Sequence, residues 1–157
     1  PEFRGPTGQG ISDERGLPLT WSETKNVRWK VAIPGRGWSS PSIQADRIWL
    51  TTATEEGKSL RAISVDRNTG AILQNVEVFR LKSLPQLNAK NSFASPTPVI
   101  EGDHVYLHFG AFGTACLTRA GEIVWKQGNI AGVELFEELS WTSIIPWVRG
   151  LVRSSAN

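Results

Sequence analysis

Short apolar runs separated by polar turns recur along this chain and predict β-strands rather than helices. The clearest recurrence is a segment found twice, at residues 39–50 and again at 94–107. Each copy opens on small residues and a proline, followed by a short apolar run, an acidic turn and a second β-rich run, which is typical of a hairpin. Because the equivalent prolines of the two copies are Pro41 and Pro96, the repeat length is on the order of 50 residues, as in propellers, solenoids or arrays.

The two copies continue to correspond downstream, where residues 60–73 are matched by residues 114–125. Each stretch is a β-rich run, a polar turn that ends in glycine, and another apolar run. The turn glycines are Gly70 and Gly121, and a tight hairpin often needs a residue with positive φ at that place. The first copy also carries an extra polar stretch at 54–59, which predicts a longer hairpin tip. Each unit therefore supplies four short strands, as a propeller blade does.

The segment before the first copy has the alternation of a strand. Residues 26–33 place four apolar side chains on one face: Val27, Trp29, Val31 and Ile33. This pattern predicts a β-strand, and the following Pro34-Gly35-Arg36-Gly37 ends it.

Other segments divide the rest of the chain. Residues 75–81 predict a further strand, and residues 82–91 predict a loop. Residues 1–25 are rich in glycine, proline and charge, so they predict an extended lead-in. The domain organisation expected from the sequence is this lead-in, two blades at 26–127, and a different tail at 128–157.

The tail at 128–157 does not repeat the pattern of the two copies. Residues 133–139 and 141–152 have apolar positions closer to helical spacing, and Pro146 would interrupt a helix there. Two interpretations stay open: a helix that caps the fold or binds a partner, and an irregular end that is not native to the fold.

Composition excludes several classes of protein. The net charge is +2 over 157 residues, and Lys and Arg are spread along the chain, so no nucleic-acid surface is indicated. No apolar run reaches the roughly 18 residues that a membrane span needs. The single cysteine, Cys116, excludes an internal disulfide and a cysteine-rich zinc site. At about 40 to 50 residues per blade the chain holds two or three blades, whereas propellers have about four to eight. We therefore expect a partial propeller.

Candidate catalytic residues do not form a recognisable set. His104 and His108 would lie about 13 Å apart on a strand, too far to share a metal ion. The serines near the prolines lack a Gly-x-Ser-x-Gly context and are expected to cap turns. The stretch 110–113, Gly-Ala-Phe-Gly, predicts a hairpin turn rather than a phosphate-binding loop. The sequence thus predicts no catalytic, cofactor-binding or metal-binding residue.

Several short segments in combination resemble the bacterial PQQ-like (pyrroloquinoline-quinone-like) β-propeller repeat proteins, to which the outer-membrane-assembly propeller lipoprotein is related. The resemblance covers about residues 2–127, with this chain as the opening blades. The segments similar to the family's entry are residues 3–10, 17–22 and 26–30. Those similar to its blade starts are Pro34 to Pro41, which includes Ser40, and Asn91 to Pro98, which includes Ser95 and Pro96.

The resemblance also implies a structural blade motif of alanine, aspartate, Thr-Gly and a tryptophan that docks between neighbouring blades. The first copy matches it at Ala62, Asp66, Thr69 and Gly70, with Leu73 in the tryptophan place. The second copy matches it at Ala115, Gly121 and Trp125, with Thr118 in the aspartate place. We expect these residues to close turns and fill gaps between sheets, and so to stabilise the fold.

Repeated blades without a catalytic set predict a non-catalytic binding or scaffolding module of the cell envelope, and the resemblance implies a periplasmic or extracellular location. Its expected partners are the remaining blades of the propeller and envelope proteins, with no nucleic acid and no membrane span. The alternative is the first part of a quinone-dependent dehydrogenase whose active-site residues lie on other blades. PQQ and calcium are expected only under that alternative.

Overall fold

The computed structural model of this protein describes residues 8–86, 88 and 90–128, and these residues form an all-β fold. Two four-stranded antiparallel sheets follow one another along the chain, with the strands of each sheet in chain order. Sheet 1 consists of β1 (Ser42–Gln44), β2 (Arg47–Thr54), β3 (Ser59–Asp66) and β4 (Ile72–Arg80). Sheet 2 consists of β5 (Val99–Glu101), β6 (His104–His108), β7 (Gly113–Thr118) and β8 (Ile123–Gly128).

Hairpins join β2 to β3 and β6 to β7, with a short 3-10 turn in each connection, Glu55–Gly57 and Gly110–Phe112. The longer tip predicted for the first copy is wrong, because residues 55–58 and 109–112 are connections of equal length and the extra residues lengthen β2 and β3 instead. Glu55 and Glu56 both have positive φ angles, at 51° and 58°. The strand predicted at 75–81 is present as part of β4.

The strand predicted at 26–33 is wrong, although its alternation is real. Trp29, Val31 and Ile33 are half-buried and the residues between them are exposed. Within the described residues, however, no neighbouring strand pairs with this stretch, and its main-chain groups make no hydrogen bond. A segment without a partner is not a strand, because a β-ladder requires hydrogen bonds to a neighbour.

The two ends of the chain are described only in part. Residues 8–25 of the predicted lead-in contain one isolated bridge, between Ser22 and Lys25, and no helix or regular strand. The tail predicted from residue 128 onward lies outside the described residues, apart from Gly128 at the end of β8.

The sheets stack face to face around a shared apolar core. Strand β1 lies beside β5 and β4 lies beside β8, so the two sheets have the same orientation. We call the side of sheet 1 that faces sheet 2 its back face, and the side of sheet 2 that faces sheet 1 its front face. The buried residues between these faces are Trp49, Ala53, Leu60, Ala62, Val78, Ala94, Ile100, Val105, Leu107, Phe109, Ala115 and Leu117.

The strand registers show which residues of the two sheets occupy equivalent places. Trp49 pairs with Ser64, which pairs with Gln74 across sheet 1. In sheet 2 the same row is Tyr106, Cys116 and Trp125. Trp49 faces the core between the sheets, so its row lies on the back face of sheet 1. Tyr106 alternates with Val105 and Leu107, which face that core, so its row lies on the other side of sheet 2, which we call its back face. The other side of sheet 1, away from sheet 2, is its front face.

Candidate interaction surface

The two proline-containing starts of the repeat meet where β1 lies beside β5. The amide of Trp38 donates to the carbonyl of Ala94 over 3.0 Å. The amide of Ser40 donates to Oγ1 of Thr97 over 3.1 Å, so the chain before β1 is bonded to the chain before β5.

Two hydroxyl groups of sheet 1 extend this link. Thr51 Oγ1 donates to the carbonyl of Pro96 over 3.2 Å, and buried Ser42 donates its hydroxyl to the carbonyl of Pro98. Pro41 itself is exposed, while Ser95 bonds within its own turn to Asn91 and Ser92. The predicted blade starts are thus brought together as a seam between the sheets.

The turn between β3 and β4 is closed by the Asp66 carboxylate. Its Oδ1 accepts the amides of Asn68 and Thr69 over 2.9 and 2.8 Å, and the Thr69 hydroxyl over 2.9 Å. The Thr69 amide and hydroxyl, with a smaller contribution from the Asn68 amide, hold the pKa of Asp66 below its usual range. Gly70 completes the turn with a φ angle of 77°.

The equivalent turn between β7 and β8 uses a hydroxyl instead of a carboxylate. Thr118 Oγ1 accepts the amide of Glu122 over 3.2 Å, and Gly121 has a φ angle of 89°. A threonine can close this turn because a side-chain oxygen acceptor is enough, whether or not it is charged.

The pairing of the strands shows that two positions of the blade motif are not equivalent in the two sheets, although the sequence comparison matched them. Gln74, rather than Leu73, holds the place of Trp125 in its sheet. Ala62 lies on the back face of sheet 1 and Ala115 on the front face of sheet 2, so they meet the core from opposite sides instead of being equivalent. The match of Leu73 to Trp125 slipped by one residue because the connection between β3 and β4, residues 67–71, is one residue longer than that between β7 and β8, residues 119–122.

An arginine cluster that the sequence reasoning missed joins the turns of the two sheets. Arg47 Nη1 donates to Oε1 of Gln74 over 2.8 Å and to the carbonyl of Arg119 over 3.0 Å. Arg119 in turn forms an ion pair of 3.0 Å with Asp46. Its sequence signal was the recurrence of arginine and aspartate beside the predicted turns.

A second charged cluster lies at the opposite end of sheet 1. Arg80 bonds both Glu55 and Glu77 through its guanidinium, with shortest contacts of 2.7 and 2.6 Å. These bonds hold the pKa values of both carboxyls below their usual range. Since Arg80 and Glu55 are about half exposed, solvent screening limits what the cluster adds to stability.

The long connection between the sheets is the most exposed part of the described chain beyond the lead-in. Between β4 and β5, all described residues of the predicted loop 82–91 are exposed, including Lys82 and Lys90. Connections of more than about 12 residues are uncommon, and they are usually either functional segments or linkers. This loop is therefore the candidate binding segment.

The front face of sheet 1 is only partly covered. Trp29 covers Gly70, and the Trp29 indole N–H donates to the carbonyl of Arg67 over 2.9 Å. A pocket of about 370 Å³ is lined by Ile33, Gly35, Arg36, Gly37, Trp38, Ser39, Leu50, Thr51 and Thr52. Trp38, which lines this pocket, is 52% exposed.

The back face of sheet 2 carries the aromatic residue that the motif predicted. Trp125 is half-buried, and its ring lies 6.5 Å from that of Tyr106, measured between centroids. Between them in the row, Cys116 is 1% exposed, and burial raises the pKa of its thiol to about 11. His108 bonds Thr114 through Nδ1 at 2.9 Å, and burial lowers the pKa of its imidazole.

Within the described parts of the chain, no group of three or more His, Cys, Asp or Glu side chains is placed to hold a metal ion. Across the same residues, no helix is long and apolar enough to cross a membrane. No family model matches this chain, and no curated protein sequence matches it significantly.

Proposed function

We propose that this chain forms two blades of a β-propeller of the PQQ-like kind, and that the propeller is a non-catalytic binding or scaffolding module of the cell envelope. One observation carries the proposal. The back face of sheet 1 packs on the front face of sheet 2, and the two sheets have the same strand order and orientation.

This stacking supports a repeating arrangement because it is not self-limiting. A front face meets a back face, so a further sheet of the same kind fits on either end without changing the contact. A symmetric sandwich, in contrast, would join two like faces and stop at two sheets. Stacking units of this type bury a continuous core that one unit cannot bury alone.

The binding role rests on loop 82–91, which joins the two blades. Binding residues are disproportionately found on loops that a rigid scaffold positions. No contact within the described residues specifically favours the quinone-dependent dehydrogenase, so binding is the function proposed. The periplasmic or extracellular location rests on the resemblance of the repeat.

An affinity experiment with bacterial envelope extract tests the binding role. The tagged polypeptide is compared with a Lys82→Glu/Lys90→Glu variant, which reverses charge in the loop, and with Asp103→Lys, which reverses charge in an exposed turn at the opposite end of sheet 2. We expect the same partner with the parent and Asp103→Lys, and at least tenfold less of it with the loop variant. Recovery that is absent in all three, or equal in all three, would count against a binding role for the loop.

A further inference from the structure

The back face of sheet 2 is buried although no described strand lies on it. Tyr106 and Thr114 are 6% and 5% exposed on this face, and Cys116 between them is 1% exposed. Tyr106 and Cys116 do not belong to the core between the sheets, which lies on the other side of sheet 2. Sheet 1 packs on that other side, so it does not account for their burial.

The front face of sheet 1 shows how exposed such residues are when their cover is incomplete. Ile43 on that face is 45% exposed, and Leu50, on the strand equivalent to that of Tyr106, is half-buried. The rings of His104 and Trp125 lie beside Tyr106 in the same layer of side chains, with centroids 6.4 and 6.5 Å from its own. Since a tyrosine is larger than either aliphatic residue, its low exposure requires further atoms over the outer side of the ring.

The titratable groups of this face agree with its burial. Burial raises the pKa of the Tyr106 phenol and of the Cys116 thiol, and it lowers the pKa of the His108 imidazole. Each shift disfavours the charged form, as loss of contact with water does. The whole strip from Tyr106 to His108 is therefore shielded from solvent.

The cover belongs to this chain, because the burial arises within a single polypeptide. The described lead-in does not supply it, since residues 8–28 are exposed apart from Pro18. The loop 82–91 is exposed as well, and Trp29 lies on sheet 1. Residues 1–7 contain one large apolar side chain, Phe3. The part of the chain that remains is the tail after Gly128.

This tail, residues 129–157, has the composition, attachment and length of such a cover. Its large apolar residues include Leu135, Leu139, Trp141 and Trp147, which need a surface to pack on. It follows directly on β8, the edge strand of sheet 2. A sheet of four strands is roughly 15 Å wide, and residues 129–157 would measure about 40 Å even as one continuous helix. The tail can therefore cross the whole back face.

We propose that the tail, residues 129–157, docks on the back face of sheet 2 and caps the stack of sheets at this end. At helical spacing Leu135 and Leu139 share one side, and Glu134 and Glu137 are turned away from it. An apolar inner side and a polar outer side are what the terminal unit of a stacked repeat needs. A following sheet of the repeat can then join at this face only after the tail is displaced. The inference goes beyond the proposed function, since it holds whether or not the two sheets belong to a propeller.

Photo-crosslinking of the purified 157-residue chain tests where the tail lies. The photoreactive residue p-benzoylphenylalanine replaces Trp125 on the back face of sheet 2 and, in a matched control, Ile43 on the front face of sheet 1. We expect peptides from 129–157 to be the main crosslinked product at Trp125, with at least tenfold less at Ile43. The product should have the mass of one chain at every protein concentration. Products with the mass of two chains, or no tail peptide at Trp125, would overturn the proposal.

The reactivity of the native Cys116 thiol supplies a second readout. Leu135→Glu/Leu139→Glu places charges on the apolar side of the tail, whereas Glu134→Gln/Glu137→Gln changes its polar side. We expect a disulfide reagent at pH 8 to label Cys116 at least tenfold faster in the first double variant and at the parent rate in the second. Equal rates in all three proteins would overturn the proposal.

A buried position in the core between the sheets shows whether the substitutions act locally. Ile100 is 5% exposed there, and Ile100→Cys in a Cys116→Ser background is labelled with and without Leu135→Glu/Leu139→Glu. Its rate should be the same in both. A rise equal to that of Cys116 would count against the proposal, because the tail would then support the whole fold instead of covering one face.

These outcomes are separable from those of the binding experiment. Crosslinking and thiol labelling report on the back face of sheet 2 in the purified chain, whereas capture from extract reports on loop 82–91. Loop-dependent capture without crosslinks to the tail would reject the docking inference and leave the binding role standing.

Discussion

Gln74 of sheet 1 lies directly over Gly121 in the last turn of sheet 2. A Cβ added to Gly121 would be 2.8 Å from Cγ of Gln74 and 3.3 Å from Cγ2 of Val76. The glycine is thus needed both for its φ angle of 89° and for the close approach of the neighbouring sheet.

The Gly121→Ala variant should therefore be less stable than a matched glycine variant without a neighbour. Gly102 has a φ angle of 56° and nothing within 4 Å of an added Cβ, so Gly102→Ala tests backbone strain alone. We expect Gly102→Ala to cost about 1 kcal/mol, and Gly121→Ala to cost about 1–3 kcal/mol more through overpacking. Urea unfolding measures both; equal losses would show that sheet 1 does not press on this turn.

Two buried serines of sheet 1 should respond in opposite ways to loss of the hydroxyl. Ser42 donates to the carbonyl of Pro98 in the seam, whereas Ser64 Oγ is buried without a hydrogen-bond partner among the described residues. We expect Ser42→Ala to cost about 1–3 kcal/mol, because it leaves a buried carbonyl unpaired. Ser64→Ala should be neutral or slightly stabilising. Thermal melts measure both variants. If Ser64→Ala lost more stability than Ser42→Ala, the hydrogen bond of Ser42 across the seam would be contradicted.

Acid should destabilise the protein partly through Asp66. Its pKa in the folded state is lowered by the Thr69 and Asn68 donors, so its contribution is present above the pKa of an unfolded aspartate, about 3.9. That contribution is lost as the pH falls through the lower folded pKa. Asp66→Asn should start with a lower melting temperature at pH 7 and lose less of it on acidification. If the melting temperatures of the parent and the variant fell by the same amount between pH 7 and acid pH, the role of the carboxylate would be refuted.

The thiol of Cys116 should be almost unreactive in the native protein. It is 1% exposed, and burial raises its pKa to about 11, so little thiolate is present at pH 8. We expect a disulfide reagent at pH 8 to react about 100-fold faster after unfolding in guanidinium chloride. Similar rates in the native and unfolded protein would mean that the row of Tyr106 and Trp125 does not cover the thiol.

The sequence predicts the sheets well because their alternation and turn chemistry are local. Gly70 and Gly121 mark turns whose positive φ angles are set within a few residues, and the two copies define four strands each. Segment 26–33 shows the limit of this reasoning. Alternation predicts which face is apolar, but a strand also needs a neighbour, and no local pattern shows whether one is present.

Contacts between sheets were predicted less well than the sheets themselves. The bond from Arg47 to the carbonyl of Arg119 joins residues of different repeats, and no spacing within one repeat indicates it. The place of Trp125 was aligned with Leu73 because sequence alignment cannot see registry. Strand pairing assigns it to Gln74, which is the residue that covers the next turn glycine.

The central claim is that the two sheets stack back face to front face as consecutive units of one repeat, and proton–proton contacts in solution test it most directly. In a NOESY spectrum of the 157-residue chain, we predict cross-peaks from the Gly121 α-protons to the side chains of Gln74 and Val76. We also predict them between the rings of Phe79 and Phe109, whose centroids are 5.9 Å apart. If these were missing while those between Tyr106 and Trp125 within sheet 2 were present, the sheets would be folded but not stacked, and the account would be contradicted.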